Sequence, residues 1–208
     1  MSATSVGVAV DVVPLGLRDW SLHAALVPVG TTSRFAFPGG RVPPEESLDG
    51  AARRWLAHHL PRKDAFVEQL YAFGEPGRDP SSRVVSVAYL ALVPRTEDAH
   101  GVQWFPCDAM PPLAYDHGAV AEKALERLRA KLSYTNVAFG LLEDPFTLAD
   151  LQRTYESILG RELDRRNFRK KVLGLGLVVP IGKRRHGPHP PADLFRFAER
   201  RLVAMEIG

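Results

Sequence analysis

A Pro-Gly-Gly turn at residues 38–40 separates two segments with different hydrophobic periods, and this junction restricts the fold more than any other feature of the chain. Residues 34–37, before the turn, have the short apolar pattern of a strand. Residues 47–60, after it, place apolar side chains at helical spacing, and Pro61 predicts the end of that helix. The sequence therefore predicts a strand–turn–helix unit.

Further strand-like segments surround this unit. They cover residues 6–13, 21–29, 65–73, 83–93 and 102–105. The Pro- and Gly-containing residues 75–82 are predicted to form a loop, and Asp116 is predicted to cap a helix that runs to about residue 131. Mixed strands with few helices favour one α/β domain over residues 1–140. Pro145 then blocks helix continuation, which places a domain boundary near residues 140–145.

Positive charge is concentrated in the last third of the chain. Residues 1–140 contain 14 Lys and Arg against 15 Asp and Glu, a net charge of −1. Residues 141–208 contain 13 Lys and Arg against 9 Asp and Glu, a net charge of +4. This basic segment indicates a polyanionic partner, although a merely solvated basic surface has the same count.

Two helices joined by a short turn are predicted within residues 147–173. Thr147 and Asp150 form a capping-box-like start for the first helix. Gly160 suits the left-handed backbone that ends it. Asp164 is the predicted cap of the second helix. These signals indicate a helix–turn–helix.

The second of these helices has the composition of a DNA-reading helix. Five of the seven residues from 165 to 171 are basic. Phe168 and Val172, four residues apart, are predicted to face the core, so that the basic side chains occupy the opposite face. Arg can bind guanine, Asn can bind adenine and Lys can bind phosphate. The predicted DNA-binding residues are Arg165, Arg166, Asn167, Arg169, Lys170, Lys171, Lys183, Arg184 and Arg185.

A strand-like pair of segments follows the second helix. Residues 175–181 and 194–197 are predicted strands, and the basic residues 182–191 between them form a predicted tip. A helix–turn–helix with such a hairpin is a winged helix, whose tip lies along the phosphate backbone or in a minor groove. A small helical dimerisation or capping module is the alternative. His186 and His189 are not predicted to bind a metal.

The strand–turn–helix unit near the N-terminus resembles the start of a Nudix box. Gly40, Glu46 and Arg54 stand at the spacing of that motif's first glycine, first glutamate and arginine, and Leu56 keeps its apolar position. An unrelated strand–turn–helix is the alternative interpretation.

The remaining acidic positions of that motif have changed. Trp55 stands at the first helix glutamate, and His58 and His59 stand at the glutamate pair. Mg²⁺ prefers carboxylate oxygens, and in a hydrolase it polarises the diphosphate and activates water. Glu46 alone is too few for this shell. The sequence therefore predicts no metal, no catalytic residue and no Nudix hydrolysis, with His58 exposed and His59 packed.

Over nearly its full length, the chain resembles Nudix-related transcriptional regulators of the NrtR type. The resemblance rests on the altered box and on residues 115–117, 146–152 and 165–171. It implies a Nudix-like α/β/α sandwich with a mixed sheet over residues 1–140 and a winged helix over residues 141–208. It also implies a homodimeric repressor on palindromic operators of NAD-metabolism genes, with no cofactor.

The resemblance further implies that the Nudix-like domain is a pocket for an effector, ADP-ribose or a related nucleotide, which often releases such regulators from DNA. The candidate effector-binding residues are Arg34, Phe37, Arg41, Glu46, Arg54 and Asp116. Each arginine is equally compatible with an ordinary surface position. Arg54 is also placed to brace Glu46.

Other function classes stay open at this stage. A Nudix hydrolase would need carboxylates from elsewhere, such as Glu45, Glu46 and Asp49. A regulator that senses a sugar or another ligand fits the same domain plan. An RNA-binding protein fits less well, because the A-form major groove is too narrow for a helix.

With no apolar run of roughly 18 residues, no signal peptide and a single cysteine, a cytoplasmic protein is expected.

Overall fold

The computed structural model describes residues 6–60, 65–94, 96, 101–186 and 190–205. The chain forms two compact units, Met1–Arg18 with Leu22–Glu126 and Asp19–Ser21 with Arg127–Gly208. Within the described residues, every helix is too short or too polar to cross a membrane. The helix end predicted at Pro61 and the metal prediction for His189 fall outside these residues.

A seven-stranded mixed sheet organises the first unit. Its strands are β1 (Gly7–Arg18), β2 (Ser21–Pro28), β3 (Phe35–Ala36), β4 (Gly39–Arg41), β5 (Phe66–Phe73), β6 (Val84–Val93) and β7 (Gln103–Pro106). β1 runs parallel to β6 and antiparallel to β4, while β5 is antiparallel to β6. β1 and β6 are buried along most of their length, because a central strand covered on both faces needs a nearly continuous apolar run. The predicted mixed sheet is confirmed.

Two helices accompany this sheet. In α1 (Leu48–His59), the buried residues Ala51, Ala52 and Leu56 pack into the apolar core formed with β1 and β6. Ser47 begins the helix, and its side chain accepts a hydrogen bond from the Gly50 amide at 3.1 Å. α2 (His117–Tyr134) is longer than predicted and contributes residues to both compact units.

The predicted Pro-Gly-Gly turn is wrong in one respect, because Gly39 and Gly40 belong to a strand. They pair antiparallel with Asp11 and Val10 of β1. A Cβ atom on Gly39 would lie 2.4 Å from the Val10 carbonyl oxygen. The two glycines are therefore required because β4 lies unusually close to its neighbours, which a composition-based turn signal does not reveal.

The second unit is a winged helix. It contains a short 3-10 helix (Val137–Gly140), α3 (Leu148–Leu159), α4 (Arg165–Gly174), β8 (Val178–Arg185) and β9 (Ala192–Phe197). α3 begins with a complete capping box between Thr147 and Asp150 and ends at Gly160, whose φ is 68°. The Asp164 carboxylate accepts from the Asn167 amide at 2.8 Å and so begins α4. The predicted helix–turn–helix with a hairpin is confirmed.

The hairpin strand β8 is shifted along the chain relative to the predicted strand 175–181. Residues 175–177 follow the end of α4 and lie outside the strand, whereas residues 182–185, predicted to lie in the basic tip, continue it as far as Arg185. Arg184 and Arg185 pair with Asp193 and Ala192 of β9, and the Arg184 Nε atom donates to Asp193 Oδ1 at 2.8 Å. This cross-strand charge pair favours the ladder over an open loop.

Replacing Thr147 by Ala is expected to lower the free energy of unfolding of the winged helix by about 1 kcal/mol, because the Asp150 amide loses its capping acceptor. Urea denaturation followed by far-UV circular dichroism measures this change. Thr147→Ser keeps the hydroxyl and is the matched control. Equal loss in both variants would assign the effect to the methyl group.

Candidate functional site

The outer face of α4 is basic and exposed. Arg166, Arg169 and Lys170 are exposed, whereas Phe168 and Val172 are buried on the opposite face. The Phe168 ring packs edge-on against Tyr155 of α3, with centroids 5.2 Å apart. Burial raises the pKa of Tyr155 to about 12, so that its hydroxyl is neutral. This apolar contact sets the rotation of α4 and leaves its cations in solvent.

The hairpin places further arginines beside this helix. Arg185 Nη1 lies 2.7 Å from Asp150 Oδ2, the carboxylate that also completes the α3 capping box. An open groove of about 770 Å³ runs between α3, α4 and the hairpin, and its basic lining includes Arg153, Arg165, Arg169 and Arg185. The arrangement presents two cationic surfaces, one helical and one on the hairpin, on the same groove.

The first unit contains a cavity of about 290 Å³ between the sheet and α1. Its wall combines the glycine strand β4, aromatic rings and charged side chains. The polar and aromatic residues that line it are Asp11, Phe37, Arg41, Trp55, His59, Arg78, Asp79, Tyr115 and His117. Tyr115 is exposed and has a positive φ of 56°, a strained backbone for a residue with a bulky side chain.

A buried ion cluster forms one side of the cavity. Arg78 donates to both oxygens of Asp116, at 2.9 and 2.6 Å, and to Asp11 Oδ2 at 3.2 Å. Ser86 Oγ donates to the same Asp11 oxygen at 2.6 Å. The cluster therefore connects β1, the loop before β6 and the residue that precedes α2.

His117 completes the cluster. Its Nδ1 accepts from the Phe37 amide at 2.9 Å, which leaves the proton on Nε2, 3.4 Å from Asp11 Oδ1. Burial alone would raise the pKa of Asp11, but the hydrogen bonds from His117 and Ser86 and the charge of Arg78 outweigh it and lower that pKa. Asp11 is therefore an ionised carboxylate, and its oxygens are contacted by Arg78, Ser86 and His117.

The altered positions of the Nudix-like motif lie on α1. Trp55 and His59 are half-buried and nearly parallel, with centroids 6.2 Å apart and 10° between the planes, while His58 is exposed. Glu46 is held at both oxygens by Arg54, at 2.8 and 2.6 Å. The hydrogen bond from Arg54 lowers the pKa of Glu46.

The carboxylates that an alternative hydrolase would need are not assembled. Asp49 accepts a hydrogen bond from the Tyr89 hydroxyl at 2.6 Å, and Glu46 is bound by Arg54. Burial raises the pKa of Tyr89, so this phenol remains a donor. Across the described ranges, no three His, Cys, Asp or Glu residues are grouped so as to hold a metal ion.

Comparison with known proteins identifies relatives that cover most of the chain. Residues 138–197 match the family described as the NrtR DNA-binding winged helix domain. The chain is 31% identical over 176 residues to the ADPR responsive transcriptional repressor NtrR of Acinetobacter baylyi, a match that covers 80% of this chain and 70% of that protein.

The chain belongs to the NrtR family. The crystal structure of Shewanella oneidensis NrtR complexed with a 27mer DNA is similar to it with a TM-score of 0.82 and 30% identity, over 91% of this chain and 93% of that one. The NUDIX domain of the same protein, complexed with ADP ribose, matches with a TM-score of 0.53 and 29% identity, over 60% of this chain and 90% of that one. The family resemblance and the Nudix-like and winged helix folds predicted from the sequence are confirmed.

Within this NrtR-family fold, the candidate effector residues fall in different places. Phe37 and Arg41 line the cavity. Arg34 is exposed on the preceding loop. Glu46 and Arg54 brace each other, as the sequence suggested for Arg54. Asp116 is held by Arg78. Their role in effector binding stays a prediction.

Sequence reasoning missed the cluster residues Asp11, Arg78 and His117. Asp11 is a charged residue within the apolar run 6–13. Its position indicates a buried polar cluster, because a buried aspartate requires partners. Arg78 lies in a loop that contains proline and glycine. The composition of such a loop does not predict which of its side chains is buried. His117 lies within residues 115–117, which carry the family resemblance, but the sequence does not indicate that its ring reaches Asp11.

Replacing Arg78 by Met is expected to lower the free energy of unfolding of the first unit by about 3 kcal/mol, because it leaves the buried Asp11 charge without its cation. Thermal denaturation measured by calorimetry tests this. Arg83→Met, which replaces an arginine beside β6 that donates to the Val84 carbonyl oxygen, is the comparison. If the two variants have equal stability, the ion cluster does not stabilise the fold.

Proposed function

We propose that this chain is a transcriptional repressor that binds an operator through residues 141–208 and senses a nucleotide through residues 1–140. The observation that carries this proposal is the exposed basic face of α4, in a chain similar over 91% of its length to an NrtR crystallised with DNA. DNA binding by a relative and an exposed recognition-type helix in this chain support the same conclusion.

In the proposed complex, α4 lies in the major groove. Arg166 and Arg169 contact base edges, since a guanidinium binds the guanine O6 and N7 atoms bidentately. Lys170 and Lys171 contact phosphates. The proposed phosphate or minor-groove contacts of the hairpin come from Lys183, Arg184 and Arg185. Because Arg184 and Arg185 already pair with Asp193 and Asp150, they contribute less free charge than Lys183.

The operator is proposed to be palindromic and the repressor a homodimer. Two copies of α4 then occupy successive major grooves, roughly 34 Å apart along the duplex. The two-fold symmetry of the protein matches that of the site, so each half-site is read by the same side chains.

The effector is proposed to be ADP-ribose or a related nucleotide, bound in the cavity beside α1. The ADPR-responsive relative and the relative's Nudix domain complexed with ADP ribose support this ligand class. The cavity offers aromatic rings for a base and Arg41 for phosphate. The effector changes DNA affinity only if it binds one arrangement of the repressor more tightly than the other.

The chain is further proposed to bind this nucleotide without hydrolysing it. Hydrolysis of a diphosphate by a Nudix enzyme needs Mg²⁺ held by carboxylates. Here Trp55, His58 and His59 replace three of those carboxylates, and Arg54 binds both oxygens of Glu46.

Changing Arg166 or Arg169 to Ala is expected to weaken binding to a selected operator by about tenfold or more, because each loses a bidentate base contact. Electrophoretic mobility shift on duplexes selected from a random pool measures the effect. Arg201→Ala removes another exposed arginine of the same unit, which pairs with Glu199 and lies outside α4 and the hairpin, and this variant is expected to bind normally. Unchanged affinity in both α4 variants contradicts the assignment.

Incubation of the full chain with ADP-ribose and Mg²⁺ or Mn²⁺ is expected to yield no AMP, because no carboxylate shell holds the metal against the diphosphate. Chromatographic separation of nucleotides measures product. A Nudix hydrolase of known activity, assayed in parallel, shows that the conditions permit turnover. Metal-dependent AMP formation that increases with the concentration of this chain would show that it is an enzyme.

A further inference from the structure

The cavity wall on α1 is aromatic at the positions where the Nudix motif places carboxylates. Trp55 and His59 lie one helical turn apart and both line the cavity. Their rings are parallel to within 10°. The guanidinium of Arg54 lies 5.3 Å from the centre of the Trp55 ring and completes a flat, electron-rich and cation-flanked surface.

The Trp55 ring occupies the space between α1 and β4. A Cβ atom on Gly40 would lie 2.6 Å from Trp55 Cζ2 and 3.2 Å from Cε2. The indole is therefore packed against the glycine backbone and is part of the cavity wall. Only glycine at position 40 permits this packing.

The carboxylates near this wall do not form a site for a hard divalent cation. Both Glu46 oxygens are bound by Arg54, and Asp49 is bound by Tyr89. Asp11 has Ser86, His117 and Arg78 as partners. Mg²⁺ requires oxygen ligands in near-octahedral geometry, and these oxygens already bind side-chain donors of the protein.

We propose that the effector binds this cavity without a divalent cation, with its planar heteroaromatic ring against Trp55. The proposal rests on the proposed nucleotide-sensing function and specifies how the same cavity performs it. Stacking on an indole depends on the face of the ligand ring and needs no metal. Arg41, whose Nη2 donates to the neutral Ser82 hydroxyl at 2.6 Å, supplies positive charge for the phosphates.

One buried donor in the wall lacks a partner. Among the described residues, nothing accepts a hydrogen bond from Trp55 Nε1, although this atom is out of contact with solvent. A buried donor without an acceptor is unfavourable. The cavity wall therefore includes an unsatisfied polar atom on the residue that is proposed to contact the ligand ring.

Calorimetric titration of ADP-ribose into the full chain, in buffer with EDTA and in buffer with Mg²⁺, tests the cation requirement. The dissociation constants are expected to agree within about twofold. An affinity at least about tenfold weaker in EDTA overturns the metal-free site and leaves the proposed sensing function intact. Absence of binding in both buffers overturns that function together with this inference.

The role of Trp55 is tested by its fluorescence and by substitution. The chain has three tryptophans, and Trp20→Phe removes one that does not line the cavity, so this variant is the matched control. ADP-ribose is expected to quench the fluorescence of the wild type and of Trp20→Phe, and most of that quenching is expected to be lost in Trp55→Phe, which keeps an aromatic ring at position 55. Trp55→Ala is expected to weaken binding by about tenfold. Quenching that persists in full in Trp55→Phe, or unchanged affinity in a folded Trp55→Ala, overturns the stacking assignment.

Discussion

The buried charge of Asp11 is the constraint on which the cavity of the first unit depends. A carboxylate within a central strand is unfavourable unless charge and hydrogen bonds compensate it. Arg78 supplies the charge, and Ser86 and His117 supply hydrogen bonds. Arg78 must then reach from its loop into the core and also binds Asp116 at the start of α2. The contacts that compensate the Asp11 charge thus hold β1, the loop before β6 and the start of α2 together around the cavity.

This arrangement explains why the cavity is preformed and polar on one side. The cluster holds Asp116 and His117 in place, and Tyr115 next to them has a strained backbone at the cavity edge. Opposite the cluster, α1 contributes rings in place of carboxylates. A pocket with one ionic side and one aromatic side can bind a nucleotide by its sugar and its base, and its binding energy is available to shift an equilibrium between protein states.

The winged helix unit depends on a second shared carboxylate. Asp150 completes the capping box of α3 and also binds Arg185 of β8, so the first helix and the hairpin are connected by one side chain. Phe168 and Val172 set the rotation of α4. The basic face of α4 is exposed because its apolar face is buried, so core packing positions the surface that is proposed to bind DNA.

The sequence by itself determined the elements of both units and the identity of the basic face. Periods of 2 and 3.6 in the apolar residues, the caps at Thr147 and Asp164, and the stop at Gly160 are local signals, and local energies decide them. The aromatic and imidazole side chains of Trp55, His58 and His59 are also visible in the sequence alone. Tertiary structure decided that Gly39 and Gly40 form a strand, that residues 182–185 extend β8, and that Arg78 joins Asp11 to Asp116. These outcomes depend on contacts between different segments, across the hairpin for β8 and across the sheet and its loops for the other two, where close approach and charge compensation outweigh the local preference of each segment.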